Sequence, residues 1–561
     1  MSPIGRLILC VVIAATAGVY AQTAAYGFVY DDPRQIEMSA SRFTWAQAPG
    51  YFTTDVWDYV NGKAGNYYRP VFLLWLLVNY QLFGLSHPFW HLSTAAMHVA
   101  ATALLFFLAR KLTGNDIIAG ITALLFGLHP AHVEAVAWVS GVTEPLAAAL
   151  VFGALLAYLD GRRSLAPALF AAAVFAKETA IVVPALIFAL EALFATTAPR
   201  QRIRSAVRAV VPYAAVVLVY LGFRFTALHR FEDPSKWRLR EVLLTIPGVV
   251  CLYLKQLVWP ARMALFHDLD PVTRASWMNF GLPLILLAAI AVGAAAVSRR
   301  SRATAFACAL LAIPLLPVLD LAAFSREDFF HDRYLYVPSA GLCLLAALAM
   351  RKIAAERAVW LALPVAAALA WVTVHESRFW SSNSALASRA VEISPDNPTA
   401  REFYAADLVL NDRFADALPL LEKNEAAHPD DPDLLYAIGI CRYRLDEWQE
   451  AADTLRRVLD LRPDYPHARL LLGMADAELG RLDEAESEMR AAVRGRPRVS
   501  EQYRGYHAAL AALLEKKGDF RGALEEYEAE LREFPDDSGS FDRAEHLRAQ
   551  FSHPPPPAPS R

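Results

Sequence analysis

The sequence is poor in cysteine and carries little net charge. Among its 561 residues only five are cysteines, namely Cys10, Cys251, Cys308, Cys343 and Cys441. Their spacing fits neither a disulfide framework nor a zinc knuckle, so we expect them to pack as small apolar side chains. The formal net charge of −3 provides no overall field to attract nucleic acid, and we predict no nucleic-acid partner.

Apolar residues are what the sequence has in excess. They make up 56% of the chain, charged residues make up 20%, and the long apolar runs stop near residue 375. This distribution predicts an all-α protein with a polytopic membrane domain over residues 1–378 and a soluble C-terminal domain. We place helical repeats at 379–540 and a proline-rich disordered tail at 541–561.

Eleven stretches are candidate membrane spans, and the first of them is expected to be an uncleaved anchor rather than a signal peptide. We assign two further apolar stretches, 69–84 and 241–259, to interfacial helices, because the basic short loops then all lie on the side of Arg6. The N-terminus is thereby predicted in the cytoplasm and the C-terminal domain outside. The eleven spans are 4–24, 89–109, 116–130, 145–160, 164–177, 179–195, 207–223, 280–297, 303–320, 335–350 and 358–375.

This topology predicts an integral membrane protein with its unusual polar clusters on one face. In a bacterium the membrane is the inner one with the repeats in the periplasm, and in a eukaryote it is that of the endoplasmic reticulum. Ionisable groups near membrane depth are costly and usually functional. The clusters are Asp31-Asp32, Arg69, 129–134, Lys177-Glu178, 266–270 and 329–334.

A 34-residue repeat follows the last span. Pro395, Pro429, Pro463 and Pro497 recur at that interval, and alanines and glycines keep the same period. Small residues at close helix crossings and a proline ending each unit are typical of tetratricopeptide repeats. We predict about four repeats, whose groove either presents a protein acceptor or serves only as a spacer or dimerisation arm.

The polar face has the side chains that transfer from a lipid-linked sugar requires. Cations would bind the phosphate, and a carboxylate would deprotonate the acceptor hydroxyl. Because phosphate is already a good leaving group, an inverting displacement needs a single base. Asp31 and Asp32 are the candidate bases; the candidate phosphate ligands are Arg69, Lys177 and Arg333.

Four further polar residues of this face are predicted to orient the sugar or the acceptor: His129, His132, Glu134 and Glu178. His129, His132 and Glu134 are also of metal-ligand types, but no further His or Cys is spaced to complete a site. Structural roles compete with these functions, since an Asp pair after a helix is often a cap and Lys177-Glu178 suits a membrane-edge ion pair. We expect no divalent metal and no cofactor besides the lipid-linked sugar donor.

Several motifs occur in an order that resembles a known family. They are "FVYDD", "YYRPVFLLWLLVNYQLFG", "LFGLHPAHVEAVAWVSG", "FAKETAIVVPAL" and "DRYLYVPSAG". Together with the repeats, they resemble the transmembrane and tetratricopeptide-repeat O-mannosyltransferases of the GT-C superfamily. The resemblance covers essentially the whole chain.

The resemblance implies a GT-C membrane fold whose first external loop carries the catalytic acid, which corresponds to Asp31. Asp32 occupies the place of the second acid of related protein mannosyltransferases. The implied donor is polyprenyl or dolichyl phosphate mannose, and the implied acceptor is a Ser or Thr hydroxyl of a protein. Two departures bear on the identity of the sugar: Val142-Thr143-Glu144-Pro145 replaces Arg-Ala-Asp-Leu, and His-Asp replaces Ala-Glu at 331–332.

Three other functions remain open from the sequence. The same fold could transfer a sugar to a lipid or a polysaccharide. A membrane-anchored repeat scaffold without chemistry would need none of the acidic residues. A transporter fits less well, because the polar groups gather on one face and no inverted repeat is visible.

Overall fold

Helices dominate the part of the chain that the structure describes. This computed structural model describes residues 1–61, 65–195, 199–229, 237–496 and 500–552. Those residues form α-helices joined by turns and short 3-10 or π segments, and they include no β-strand. The predicted all-α class is therefore confirmed. Two compact units divide the chain, Met1–Ala400 and Arg401–Arg561.

Helices α1 to α16 belong to the first unit. Many begin with a proline in the first turn, where the missing N–H group costs no helical hydrogen bond. Their bounds are Pro3–Tyr20, Val56–Asn61, Pro70–Phe83, His87–Thr113, Asp116–Gly127, Val133–Ala137, Thr143–Leu159, Leu165–Ala176, Val183–Phe194, Pro199–Leu228, Leu239–Val258, Leu282–Ser298, Arg302–Ala312, Tyr336–Ala354, Ala358–Ser377 and Asn383–Ile393.

Nine helices within the described ranges are long and apolar enough to cross a membrane, or ten if the bent pair Asp116–Gly127 and Pro130–Ala137 is one span. The predicted count was eleven. Spans 164–177 and 179–195 contain α8 and α9, which have 12 residues each. At 1.5 Å per residue such a helix covers about 18 Å, less than a hydrocarbon core of about 30 Å.

The two stretches assigned to the interface differ from each other. Helix α3 has 14 residues, fewer than the roughly 20 that a membrane-spanning helix needs. Its length is compatible with an interfacial helix. Helix α11 has 20 residues and is long and apolar enough to cross a membrane, contrary to the interfacial position predicted for 241–259. The interfacial assignment had rested on placing all the basic short loops on the side of Arg6.

Close helix contacts in the first unit depend on small residues. A Cβ atom at Gly341 of α14 would lie 2.4 Å from the backbone nitrogen of Leu311, so only glycine allows α13 and α14 to approach this closely. Nearby, buried His98 of α4 is bonded to the Tyr336 hydroxyl at 2.5 Å and to the Gly127 carbonyl at 3.1 Å. These contacts connect α4, α5 and α14 beneath the polar face.

The segment between α1 and α3 folds into its own apolar cluster. Phe28, Ile36, Phe43 and Tyr51 are buried together with apolar residues of α3 such as Leu76. Because the side chains of this cluster are buried and packed together, the cluster positions the loop that carries Asp31 and Asp32.

Helices α17 to α25 form a regular series of antiparallel pairs with a final helix. Gly439 and Gly473 lie where the helices of a pair cross, since a Cβ atom there would come within 3 Å of Leu455 and Met489 side chains. Pro429 and Pro463 follow the second helix of a pair, as the repeat predicts. The bounds are Pro398–Leu410, Phe414–Glu425, Pro432–Arg444, Trp448–Leu461, Pro466–Glu478, Leu482–Arg494, Tyr506–Lys517, Phe520–Glu533 and Ser538–Ser552.

The last helix corrects the start of the predicted tail. We placed a disordered tail from residue 541, but α25 continues to Ser552. Ala544 and Leu547 of this helix are buried in the cluster formed by the preceding pair, which accounts for its helical structure. The remaining tail residues, 553–561, and the repeat proline Pro497 lie outside the described residues.

Candidate active site

A polar cavity of about 330 Å³ lies at the ends of several spans. Its volume is within the range of small-molecule sites. Six separate parts of the first unit contribute to its wall: the loop after α1, helix α2, the start of α3, the turn before α7, the end of α8 and the segment before α14. The structure brings together four of the predicted residues here, namely Asp31, Arg69, Lys177 and Arg333.

Asp31 faces the cavity and is partly exposed. Burial raises the pKa of its carboxyl to about 6, and the positive charges of Arg333 and Arg34 limit that rise. The carboxylate therefore loses its proton near neutral pH, which is where a general base is most effective.

Asp32 points away from the cavity and is fully buried. One carboxylate oxygen accepts hydrogen bonds from the Ser140 backbone N–H at 2.8 Å and from the Ser140 hydroxyl at 2.6 Å. The other oxygen accepts the Val29 N–H at 3.3 Å. Asp32 thus ties the loop to the turn before α7, and burial raises its pKa to about 7. The two adjacent acids have different surroundings.

An unusual backbone conformation precedes the two acids. Tyr30, directly before them, has φ 58°, a left-handed conformation that bulky residues rarely adopt. Its N–H donates to the side-chain oxygen of Asn383 at 2.8 Å. Upstream, the Gly27 N–H donates to the Ser381 carbonyl at 3.2 Å. Ser381 and the first residue of α16 therefore anchor the backbone of the loop that carries Asp31.

Each cation of the cavity is held by a carboxylate. Arg69 donates two hydrogen bonds to Glu178, at 2.8 and 2.5 Å, and Lys177 forms an ion pair with Glu144. Burial would raise the pKa of Glu178, but the Arg69 guanidinium lowers it to about 2 by its charge and hydrogen bonds. The carboxylates fix the cationic groups in place before any ligand binds.

Arg333 is the third paired cation. Its backbone N–H donates to Glu134 at 2.9 Å, and its guanidinium forms an ion pair with the same carboxylate. The guanidinium also lies 5.7 Å from the ring centre of Trp138 and 5.2 Å from that of Tyr334. These contacts leave Arg333 at the cavity wall with a defined orientation.

The four residues expected to orient the sugar or the acceptor lie outside the lining of this cavity. His129 Nε2 bonds to the Leu257 carbonyl at 3.0 Å, and His132 Nε2 to the Ser339 hydroxyl at 2.8 Å. Glu134 and Glu178 hold Arg333 and Arg69. Through these contacts the two histidines connect helices, and the two glutamates hold cations in place. Contact with a substrate stays a prediction for all four residues.

The sequence interpretation missed several lining residues. Asp328 lies in the segment before α14, and burial raises its pKa to about 7. His331 Nδ1 is 3.6 Å from a carboxylate oxygen of Asp328. Gln35 and Trp138 also line the cavity. Only the clustering of polar residues near 329–334 hinted at the first two, and nothing in the sequence distinguished the others.

No group of three or more His, Cys, Asp or Glu side chains within the described ranges is arranged to hold a metal ion. The carboxylates of the cavity instead pair with arginine and lysine. The residues present can thus bind an anion, remove a proton and form hydrogen bonds to a polar ligand.

A second cavity of about 360 Å³ adjoins the first. The two share Tyr67, Ala323, Phe324 and Tyr334 in their walls. Apolar side chains, including Ile181, Leu221 and Val318, line much of the second cavity, and Glu178 lies in its wall. The Arg69–Glu178 pair therefore lies where a charged cavity meets a more apolar one.

The fold and the site define a polytopic membrane protein with a charged cavity at the ends of its spans and a C-terminal tetratricopeptide array. Two family models described as tetratricopeptide repeat match residues 405–466 and 444–513. The repeats predicted from the 34-residue period are therefore confirmed.

The comparisons with known proteins agree with the resemblance found in the motifs. The chain is 23% identical to the human protein O-mannosyl-transferase TMTC3 over 88% of this chain, and it spans only 61% of that protein's length. It is 33% identical to Protein O-mannosyl-transferase Tmtc1 of Drosophila melanogaster over 29% of this chain and 20% of that one.

Among solved structures, ArnT from Cupriavidus metallidurans, crystallised with undecaprenyl phosphate, matches with a TM-score of 0.40 and 16% identity. That match covers 87% of this chain and 80% of the ArnT chain.

Proposed function

We propose that this protein is a membrane glycosyltransferase that moves a sugar, mannose in the first instance, from a polyprenyl phosphate to a Ser or Thr hydroxyl of a protein. The observation that carries the proposal is the single cavity in which Asp31 and three positioned cations meet. The similarity to protein O-mannosyl-transferases over most of the chain supports the choice of mannose and of a protein acceptor.

Asp31 is the proposed general base. Its carboxylate takes the proton of the acceptor hydroxyl while the hydroxyl oxygen forms a bond to the anomeric carbon. The bond from that carbon to the phosphate oxygen breaks, and the polyprenyl phosphate departs with the electron pair. Attack from the side opposite the phosphate inverts the configuration, so one base is sufficient.

Arg69, Lys177 and Arg333 are the proposed ligands of the phosphate. Their partner carboxylates balance them in the free protein, so the cations are oriented without being exposed as an unpaired cluster. As the glycosidic bond breaks, negative charge grows on the phosphate, and positioned donors in a site with little water stabilise that charge strongly.

The adjoining apolar cavity supports a lipid carrier. Isoprenyl units are apolar, and a ligand with an apolar chain and a charged phosphate would match a pair of cavities that differ in the same way. The Arg69–Glu178 pair at their junction would then mark the position of the phosphate.

Transfer of radiolabelled mannose from polyprenyl phosphate mannose tests the proposal. Membranes containing wild-type protein should label protein, and Asp31→Asn should reduce the label by about 100-fold or more. Asp270→Asn is a matched control, because Asp270 is an exposed carboxylate of a loop outside the cavity lining. Asp328→Asn tests the second carboxylate of the cavity.

The separation of protein from lipid and polysaccharide decides between acceptors. If the label is found on lipid or polysaccharide and is lost in Asp31→Asn, the result supports Asp31 as the base and contradicts a protein acceptor. Full transfer by Asp31→Asn with loss in Asp328→Asn would move the base to Asp328. Absence of label from every fraction with several donor sugars would contradict an enzyme and favour the scaffold.

A further inference from the structure

Three side chains of the cavity have polar atoms that no described residue satisfies. They are the carboxamide oxygen of Gln35, the indole N–H of Trp138 and Nδ1 of His331. All three side chains line the same cavity and are at most 7% exposed. A buried polar atom without a hydrogen-bond partner is destabilising, so three such atoms in one wall call for an explanation.

The three atoms together offer one donor and two acceptors. The Trp138 indole can only donate, and the Gln35 carboxamide oxygen can only accept. Burial holds the pKa of His331 well below its usual value, so the ring is neutral. Of the two ring nitrogens only Nδ1 is buried without a partner, and it lies 3.6 Å from a carboxylate oxygen of Asp328. With the ring proton on Nε2, Nδ1 is an acceptor.

This combination selects the chemistry of the ligand. Phosphate oxygens only accept hydrogen bonds at neutral pH, so two acceptors in the wall would repel them. An isoprenyl chain would leave all three atoms unsatisfied. A hydroxyl group both donates and accepts, and a sugar presents several hydroxyls in a fixed arrangement.

The position of the set fits the sugar of the proposed donor. The Gln35 N–H donates to the Asp31 carbonyl at 2.9 Å, which places Gln35 one turn from the base. The Trp138 ring contacts the Tyr30 ring at 5.6 Å between centres and lies under the Arg333 guanidinium. Trp138 is thus in contact both with the residue before the base and with a phosphate ligand, and the transferred sugar must lie between these two groups.

We propose that Gln35, Trp138 and His331 form the subsite that binds the hydroxyl groups of the transferred sugar and discriminates among sugars. The inference rests on the proposed function for the identity of the donor. Gln35 and Trp138 would be specificity-determining residues, while the paired cations would bind the phosphate irrespective of the sugar.

The test compares the binding of lipid phosphates with and without a sugar. Full-chain protein in nanodiscs is titrated with bare undecaprenyl phosphate and with its mannose, glucose and galactose derivatives. Wild-type protein should bind at least one sugar derivative more tightly than the bare lipid. Gln35→Leu and Trp138→Phe should each reduce that gain by about 5- to 20-fold and leave the affinity for the bare lipid unchanged.

Asn79→Leu is the matched control. Asn79 is also a buried amide with an unpartnered oxygen, but it lies in α3 outside the cavity lining. Its substitution should leave the gain from the sugar unchanged. Gln35→Leu should fold, because an apolar side chain of similar shape in place of an unsatisfied amide is close to neutral for stability.

Each outcome is decisive. If both variants retain the full gain from the sugar, or if they lose affinity for the bare lipid equally, the subsite is overturned. If no sugar increases wild-type affinity, the subsite is also overturned, whereas labelled product would still support the proposed function. If only the glucose derivative binds more tightly than the bare lipid, and Gln35→Leu removes that difference, the subsite is supported and glucose replaces mannose as the proposed sugar. A gain from the sugar without transfer to protein retains the subsite and contradicts the proposed acceptor.

Discussion

The ion pairs around the cavity and those on the surface of the repeats lie in opposite surroundings. In the membrane unit, the Lys177 and Glu144 side chains are 1% and 5% exposed. In the repeat unit, Arg444 and Asp412 are 50% and 74% exposed and join successive repeats across solvent-accessible surface. Exposed pairs contribute little to stability, and buried pairs often cost more in desolvation than they return. Stability alone therefore does not account for the buried pairs around the cavity, whereas the proposed transfer reaction gives them a role.

The largest expected effect comes from breaking the most buried pair. Lys177→Met would leave the Glu144 carboxylate buried without a partner, which should destabilise the protein by about 3–5 kcal/mol and abolish transfer. The double variant Lys177→Met with Glu144→Leu should recover most of the stability but none of the transfer, because a phosphate ligand is still missing. Thermal unfolding in detergent and label transfer measure the two effects separately.

A double variant that transferred sugar at the wild-type rate would show that the pair is only structural, and the contrast between the units would lose its functional meaning. A double variant as unstable as the single one would instead mean that the site cannot repack. Transfer by that variant would then be uninformative, and Arg69→Met with Glu178→Leu, at the partly exposed pair, would be the appropriate replacement.

The pH dependence of transfer should reveal the base. The pKa of Asp31 is about 6, so its carboxylate is ionised above that pH and protonated below it. A base must be ionised to accept a proton, and kcat/KM should therefore fall about tenfold per pH unit below about 6 and level off above it. Initial rates between pH 4.5 and 8 measure the profile.

Asp328 provides the control for that profile, since its pKa is raised to about 7 and its carboxyl lines the same cavity. The inflection near 6 should persist in Asp328→Asn and be absent from the residual activity of Asp31→Asn. A wild-type profile with no slope below pH 6 would contradict an ionised Asp31 as the base.

A smaller effect is expected at the residue that shapes the catalytic loop. Asn383→Ala removes the hydrogen bond to the Tyr30 N–H, and the left-handed conformation of Tyr30 costs about 1–2 kcal/mol by itself. We expect kcat to fall about 3- to 10-fold with little change in KM for the donor, because the loop would turn Asp31 into the cavity less often.

Asn383→Asp is the conservative partner of that variant, since it keeps a side-chain oxygen as the acceptor. Rescue of kcat by Asn383→Asp would identify the hydrogen bond as the cause. Equal losses of kcat in both variants, or a loss confined to KM, would contradict a positioning role for Asn383.

The same contrast explains which features could be predicted from the sequence. The repeat unit follows a period, so its helices, crossing glycines and prolines were all predictable from residues such as Gly439 and Pro429. In the membrane unit, the side of the membrane predicted for each loop was enough to propose that Asp31, Arg69, Lys177 and Arg333 share one face. Four separate segments do bring them to one cavity.

The carboxylate partners were not predictable, because Glu144 and Lys177 are distant in sequence and their pairing depends on how α7 packs against α8. Asp31 lines the cavity and Asp32 does not, and neither that difference nor the left-handed Tyr30 before them has a signal in the sequence. That the Gln35 and Trp138 side chains each have a buried polar atom without a partner can be seen only in the folded structure. Such residues can be recognised only once their neighbours are known.

The smallest effect should come from the exposed pair of the repeats. Asp412→Asn removes the negative charge facing Arg444 but keeps a residue that tolerates the left-handed φ of 58° at this turn. We expect a change in stability of less than about 0.5 kcal/mol, and no change in transfer, because solvent and salt already screen the pair. Glu144→Gln is the matched substitution in the membrane unit, and it should reduce both stability and transfer. If Asp412→Asn were as harmful as Glu144→Gln, burial would not be what distinguishes the two units, and the repeat surface itself would have to take part in the reaction.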